Sequence, residues 1–524
     1  MESSSKNSII MKNTLSAKEW LPLIVAVLIV TIGVQYLRWK KSNKLKKLGV
    51  LHPKAWPVIG NSAALISGRM HYTDLIESIY RLNEDAYYVG FHDFKEAVIL
   101  IRSPELLKSI VVKNFDHFTD HRYFVDPELN PLFSKNLFTL RGEKWKEVRN
   151  LLTPAFTGSK MKYMFELMSD CGKNFVDYLV NVTLEKSHVV DSRDILTRYA
   201  NDVVATCAFG ISVNSMEHPT NTFYMMGKDA TNFNGARGLK MLLVRLFPPL
   251  GKLIGGSFFP PHVEKFFEHV VRETVEMRDR EGITRPDMIQ SMMETKGNES
   301  HQGRKLTILD MTAQAVGFFF GGFESVATAM CLVAHEIAID AKVQQKMRDE
   351  IDEVVTATSG KVTYEAINDM PYLDAVVNET LRLYPINMFI ERLCTKSFEL
   401  PPALPGRKPI TIAPGQSVFY PTFSIQRDSK YYPNPEKFDP ERFMGSVKSN
   451  VNPFAYLPFG IGPRMCIANR FALLEIKVLF FHLLAKCYLK PRPEACSPMK
   501  LKKRSFNFMP EEGFWLEMEP RNAA

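Results

Sequence analysis

The chain is expected to fold as a mainly α-helical domain with a small β component, held behind one N-terminal membrane-spanning helix. Three observations carry that expectation. An uncharged apolar run fills Trp20 to Leu37. Apolar residues recur at helical spacing through 142–300 and again through 306–336, with few strand-like runs. Residues 386–450 then turn rich in Pro and Gly around short β-like pieces such as Ile410 to Ile412 and Ser417 to Tyr420.

Size and composition fit a folded body. The chain has 524 residues, 45% hydrophobic and 23% charged, which excludes disordered, collagen-like and small disulfide-scaffold classes. Its net charge is +9, but residues 1–47 hold nine basic and two acidic residues and so carry +7 of it. The remainder is nearly balanced and gives no sign of a nucleic-acid-binding body. The seven cysteines, at 171, 207, 331, 394, 466, 487 and 496, form no CxxC pair. An odd number without such pairs argues against a disulfide framework or structural zinc and fits a reducing compartment.

The elements follow in order. Eighteen residues from Trp20 span about 27 Å as a helix, enough to cross the hydrocarbon core. The positive charge follows the run, in Arg38, Lys40, Lys41, Lys44, Lys46 and Lys47. A cleaved leader has its charge before the run, and a buried core helix seldom ends in such a cluster. The positive-inside rule therefore puts residues 1–19 in the lumen and everything after the anchor in the cytosol. Residues 38–60, with Pro53, Pro57 and Gly60, read as a basic linker and elbow before a body at 61–524. Sequons at Asn181, Asn298 and Asn378 are then expected to stay unmodified. In the body, a long helix starts near Thr307 and runs past Ala334, with Gly321 and Gly322 adjacent at its centre. A glycine inside a helix costs about 1 kcal/mol relative to alanine, so the pair demands a kink or a close approach. Pro371 opens a helix that Pro385 stops. The last long helix begins after Cys466 and ends near Ala485.

Two motifs carry chemistry. In Phe459 to Ala468 (FGIGPRMCIA) one cysteine sits where a Gly/Pro loop becomes a helix. The helix N-terminus favours a thiolate, Gly460 and Gly462 let the loop lie close to something flat, and Phe459 can screen the sulfur from water. A screened thiolate is what a haem iron needs as an axial ligand. Taken alone, a lone cysteine is more often an inert buried thiol. Glu379 and Arg382 share one helix face at i, i+3. Such a pair is usually solvated surface, but Val376, Val377, Leu381 and Leu383 around it point to burial. A further arginine, Arg442, lies in Phe438 to Phe443 (FDPERF).

In order, the glycine-interrupted helix, ExxR, FDPERF and FxxGxRxC resemble the cytochrome P-450 family of thiolate-haem monooxygenases. The likeness runs from the anchor to the C-terminus. It is nearest to microsomal enzymes, similar to insect family-nine and mammalian family-three xenobiotic-metabolising forms. It implies the P-450 fold, a triangular prism around haem b (iron protoporphyrin IX), with Cys466 as axial ligand. Arg464, Arg392, and Trp145 with Arg149 (in WKEVR) match residues that reach the haem propionates, a chemistry suited to bidentate guanidinium pairing. His121 or its neighbour Arg122 is a further candidate there. Glu379, Arg382 and Arg442 match a structural triad. Gly321 to Ser325 (GGFES) matches the segment where an acid, Glu324, and a hydroxyl, Ser325, relay protons to bound oxygen. Two residues depart from the family pattern. Ser325 replaces threonine, losing the methyl that fixes the hydroxyl's rotamer, with Thr328 one turn on as a possible partner. Ala468 replaces glycine.

The resemblance implies insertion of one oxygen atom from O2 into lipophilic substrates with NADPH-derived electrons. The expected role is detoxification of xenobiotics, insecticides or plant toxins; the alternative is hydroxylation of an endogenous hormone, steroid or fatty acid. A thiolate-haem isomerase is a third class, opposed by Glu324 and Ser325. Implied partners are NADPH–cytochrome P-450 reductase and, as a further candidate, cytochrome b5, at the cytosolic face of the endoplasmic reticulum. Aromatic and apolar residues are expected to line the pocket: Phe118, Tyr123, Phe124, Phe319, Phe320, Phe323, Ile386, Met388, Phe389, Phe506 and Phe508. Residues 237–261 read as a basic, apolar loop dipping into the bilayer surface, with a folded-in helix hairpin as the alternative. Lys144, Lys146, Arg470 and Lys477 are candidates for a basic docking face.

Overall fold

The computed structural model describes residues 44–521 except 124–125, 184–187, 234, 247, 255–256, 295–305, 504 and 506, together with residues 29, 30, 33 and 34. Apart from those four, the expected anchor at 20–37 lies outside the described residues, as do Phe124 and Phe506.

Eight helices place the site: α1 (Gly142–Leu152), α2 (Gly158–Tyr178), α3 (Ser192–Val204), α4 (Gly235–Leu246), α5 (Pro248–Ile254), α6 (Ile308–Ile339), α7 (Pro371–Leu383) and α8 (Asn469–Lys486). Helix α6 is the axis. Thr307 caps it: its hydroxyl accepts the Asp310 N–H at 3.1 Å, and the Asp310 carboxylate accepts the Thr307 N–H at 3.1 Å. From Ala327 to Ala338 it is buried on every side. The helix is apolar and long enough to cross a membrane by length and composition, yet it is mostly enclosed by protein. Between Gly321 and Val326 it widens into a π-turn. The two glycines have separate reasons. A Cβ on Gly322 would stand 2.5 Å from the Val204 side chain of α3, whereas a Cβ on Gly321 would meet nothing within 4 Å.

Helix α7 starts at Pro371, whose missing N–H costs nothing in a first turn, and stops at Leu383, two residues before Pro385. Helix α8 lies against α2, where Gly172 lets the His482 ring approach. Nine strands occur among the described residues: β1 (Tyr88–Asp93), β2 (Glu96–Ile101), β3 (His188–Asp191), β4 (Ile390–Leu393), β5 (Phe398–Leu400), β6 (Ile410–Ile412), β7 (Ser417–Tyr420), β8 (Cys487–Pro491) and β9 (Trp515–Pro520). The largest sheet has the order β1-β2-β7-β4, with β2 and β7 parallel. A second joins β3-β9-β8, and β5 pairs with β6 alone.

The core has two parts, one among the helices and one on the main sheet. The stretch expected to link anchor and body packs on that sheet: Leu45 and Val50 are buried, and a Cβ on Gly90 would strike Leu45. Within 237–261 the described residues form two helices, α4 and α5, on which Leu239 and Leu253 remain exposed.

Candidate functional site

The loop before α8 is shaped by two glycines with left-handed backbone, Gly460 at φ +74° and Gly462 at φ +77°. At Gly462 a Cβ would lie 2.4 Å from the Val111 carbonyl, so only glycine fits. The Cys466 N–H closes the loop on the Phe459 carbonyl at 2.9 Å. The Cys466 side chain is accessible, while Phe459 and Ile467 on the same segment are half-buried against the helical core. The expected pull of the helix N-terminus on the thiol is present, through the Ala468 N–H, and Arg149 adds to it. Desolvation by the protein walls around it outweighs both and raises the thiol's pKa.

Beside this loop four arginines converge. Arg464 donates to the Thr119 carbonyl at 2.8 Å and the Leu140 carbonyl at 2.7 Å, lies 3.5 Å from Asp120, and stacks over the Trp145 ring at 4.2 Å. Burial, with Arg392, Arg141 and Arg149 close by, drives its pKa down to about 9. Arg392 donates to the Glu391 carbonyl at 2.7 Å, its buried Nε has no partner, and burial lowers its pKa to about 10. Arg141 also buries an unpartnered Nε, with its guanidinium 3.4 Å from the centre of the Tyr123 ring. Arg149 has no carboxylate in ion-pair range among the described residues; its one attractive charged neighbour is Cys466. His121 stacks on Phe138, shares a proton contact with Glu391 at 3.3 Å, and is pushed down to about 4 chiefly by burial. Asp120 and Glu391 are too few to balance this cluster. Two further carboxylates would use the orphaned N–H groups, and haem propionates match that need.

Across from it, the π-turn of α6 carries the acid and the hydroxyl. Ser325 donates to the Gly321 carbonyl one turn back. Glu324 accepts from Arg193 at the start of α3 and from Asn507 at 2.9 Å. Thr328 does not join Ser325. Its hydroxyl is buried, donates to the Glu324 carbonyl at 2.8 Å and accepts from Arg193 at 2.5 Å.

Glu379, Arg382 and Arg442 meet between α7 and the segment before and around Arg442. Arg382 is wholly buried and grips Glu379 with two bonds, at 2.7 and 3.0 Å, while a third goes to the Gln426 carbonyl at 2.7 Å. Glu379 also accepts the Asp439 N–H at 2.8 Å and lies 3.4 Å from Arg442. Burial raises the Glu379 carboxyl's pKa, and Arg382 pulls it back.

Several expected pocket residues are core residues instead. Phe319 and Phe323 pack with Phe223, Phe267 and Tyr224, Phe118 packs on Phe398, and Phe508 packs on Tyr384 and His71. Phe320, Ile386 and Phe389 stay partly accessible. Lys477 is likewise corrected from docking surface to interior: it is buried, 3.7 Å from Asp374 and bonded to Asn368. Sequence reasoning missed Arg141, Arg193, Glu391 and Asn507. Arg193 did leave a trace, since a cation in the first turn of a helix opposes its dipole and needs an acid elsewhere.

Comparison with known proteins gives the family. The family model described as cytochrome P450 matches residues 51–516. Cytochrome P450 9e2 of Blattella germanica is 41% identical, covering 96% of this chain and 98% of its own length. Probable cytochrome P450 9f2 of Drosophila melanogaster is 36% identical, covering 93% and 97%. Cytochrome P450 6j1 of Blattella germanica is 33% identical, covering 95% and 99%.

Proposed function

The chain belongs to the cytochrome P450 family and is a monooxygenase of the kind that holds haem through a cysteine thiolate; from that premise we propose that Cys466 is the axial ligand and that lipophilic xenobiotics are the substrates. The observation that carries the assignment is the accessible Cys466 sulfur beside buried arginines with unpartnered N–H groups. Haem, when bound, supplies O2 binding and transfer of one oxygen atom to a substrate C–H bond.

The protein's own groups do the rest. With the group bound, Phe459 would screen the sulfur from water, and Gly460 and Gly462 would let the loop lie against it. Arg464, Arg392 and Arg149 neutralise the propionates, with Trp145 fixing Arg464 by stacking and His121 offering a neutral ring N–H. Ser325 holds a proton next to the open space at Gly321. Glu324, held in place by Arg193 and Asn507, relays a proton from solvent to that hydroxyl. Glu379, Arg382 and Arg442 act on no substrate; they lock α7 to the 426–442 segment.

Placement follows the same reading. Residues 1–19 are lumenal, 20–37 anchor the chain in the endoplasmic reticulum membrane, 38–60 form the linker and 61–524 the cytosolic catalytic domain. Exposed Trp56, Leu239 and Leu253 suit contact with the bilayer surface. NADPH–cytochrome P-450 reductase supplies electrons, with cytochrome b5 as a second donor, and Lys144 and Arg470 remain exposed for docking.

The test is direct. Reduced under CO, the purified chain is expected to show the red-shifted thiolate-haem absorption band and to consume NADPH with the reductase and a lipophilic substrate. Cys466→Ala is expected to abolish both. A variant that keeps the band and the turnover overturns the assignment.

A further inference from the structure

The Glu324 carboxylate is gripped by one oxygen only. Arg193 Nη2 and Asn507 Nδ2 both donate to its Oε1, the amide at 2.9 Å, and Oε2 has no bonded partner among the described residues. A guanidinium facing a carboxylate ordinarily takes both oxygens in a two-bond fork. Two contacts oppose the fork here. The other arm of Arg193, Nη1, is spent on the Thr328 hydroxyl, which itself donates to the Glu324 carbonyl at 2.8 Å. Asn507, from a separate element, holds Oε1 against turning. A carboxylate held by one oxygen takes and gives a proton at the other without breaking its hold.

Asn507 lies 183 positions beyond Glu324, in a turn closed by the Leu501–Pro510 bridge and by the Lys502 N–H on the Met509 carbonyl at 2.9 Å. Ser505 fixes its backbone twice, donating to the Asn507 carbonyl at 2.9 Å and accepting the Asn507 N–H at 3.1 Å. Against this turn packs His71, 1% exposed, whose ring lies 6.4 Å from that of Phe508. His71 caps the helix Tyr72–Tyr80: its Nδ1 accepts the Thr73 N–H at 3.2 Å and faces the Thr73 hydroxyl at 2.8 Å. Burial lowers the ring's pKa, so it stays neutral with its proton on Nε2. That Nε2 is buried without a full hydrogen bond, and the acceptor that draws on it is the Asn507 carbonyl. A buried donor left unmet is costly, so the ring favours the position of the turn that brings this carbonyl nearest.

We infer that Asn507 is a positioning residue that keeps Oε2 of Glu324 free to carry the proton, and that His71 holds Asn507 to that task; both rest on the proton-relay reading above. Without the Asn507 amide the carboxylate turns, Oε2 moves onto the Arg193 guanidinium, and the oxygen that hands a proton to Ser325 is occupied by a cation.

The experiment uses full-length holoenzyme with the reductase and an alkoxycoumarin, and reads product formed per NADPH consumed. Asn507→Leu is expected to lower that ratio about threefold, with the CO band and the alkoxycoumarin Kd close to wild type. Its carboxylate infrared bands, assigned by difference against Glu324→Gln, are expected to move from a one-oxygen to a two-oxygen pairing pattern. His71→Asn separates capping from positioning: asparagine still caps the helix but is too short to reach the Asn507 carbonyl. It is expected to keep the wild-type unfolding midpoint and to lower the ratio about twofold. The double variant is expected to match Asn507→Leu alone, since both residues act on one group. If Glu324→Gln lowers the ratio while Asn507→Leu leaves ratio and infrared bands unchanged, the positioning role is overturned and the relay stands. A wild-type ratio in His71→Asn, or losses that add in the double variant, overturns the part given to His71. A wild-type ratio in Glu324→Gln overturns the relay and the inference with it.

Discussion

Ser325 shows how one methyl group can matter at a site whose backbone is already set. Its hydroxyl donates to the Gly321 carbonyl across the π-turn, the bond a threonine would also make. Serine lacks the branched Cβ that restricts rotation, so the hydroxyl samples other wells more often. Ser325→Thr is therefore expected to reduce peroxide released per NADPH by about twofold, and Ser325→Ala to increase it by at least as much. The ratio of product to NADPH consumed measures this. Equal ratios in all three proteins would remove Ser325 from proton delivery. Thr328 offers no substitute, because its hydroxyl is committed to Arg193 and the Glu324 carbonyl.

At the scale of elements, the join between α7 and the 426–442 segment is the costliest to disturb. Arg382 and Glu379 are both fully buried, and their attraction offsets a large desolvation penalty only while both are present. Glu379→Gln leaves a buried guanidinium without its counter-charge, a change that costs about 3–5 kcal/mol. The expected result is protein that is made but holds no haem, seen as loss of the CO band and a lower unfolding midpoint. A stable, haem-loaded Glu379→Gln protein would show that the pair is dispensable. Helix limits were legible in advance where a local signal sets them, as at Thr307, Pro371 and Pro385. The β1–β2 hairpin was not, because its Phe94-Lys95 tip lacks the Asn-Gly or Asp-Gly pair that normally marks a tight turn.

For the whole molecule, the anchor is expected to be one of two membrane contacts. Trp56, Leu239 and Leu253 are exposed, and burying a leucine side chain is worth about 1.5–3 kcal/mol. Removing residues 2–37 is then expected to leave a protein that still floats with vesicles at low salt. Adding Leu239→Asp and Leu253→Asp is expected to release it to the soluble fraction. Flotation of the doubly substituted form at the level of its truncated parent would place the second contact elsewhere.

Sequence alone determined the family, the long helix interrupted at Gly321 and Gly322, the Cys466 loop and the partners Glu379 and Arg382, since each rests on residues within a turn or two of one another. Tertiary structure alone decided which aromatic rings are core: Phe319 and Phe323 share a helix with the half-exposed Phe320, and periodicity cannot say which side faces a cavity. It also decided that Lys477 is buried, that Arg193 meets Glu324 and that Arg245 meets Asp93. Those pairs lie more than a hundred positions apart, and a charge advertises its sign in the sequence but not its partner, which depends on where folding brings the two chains of atoms together.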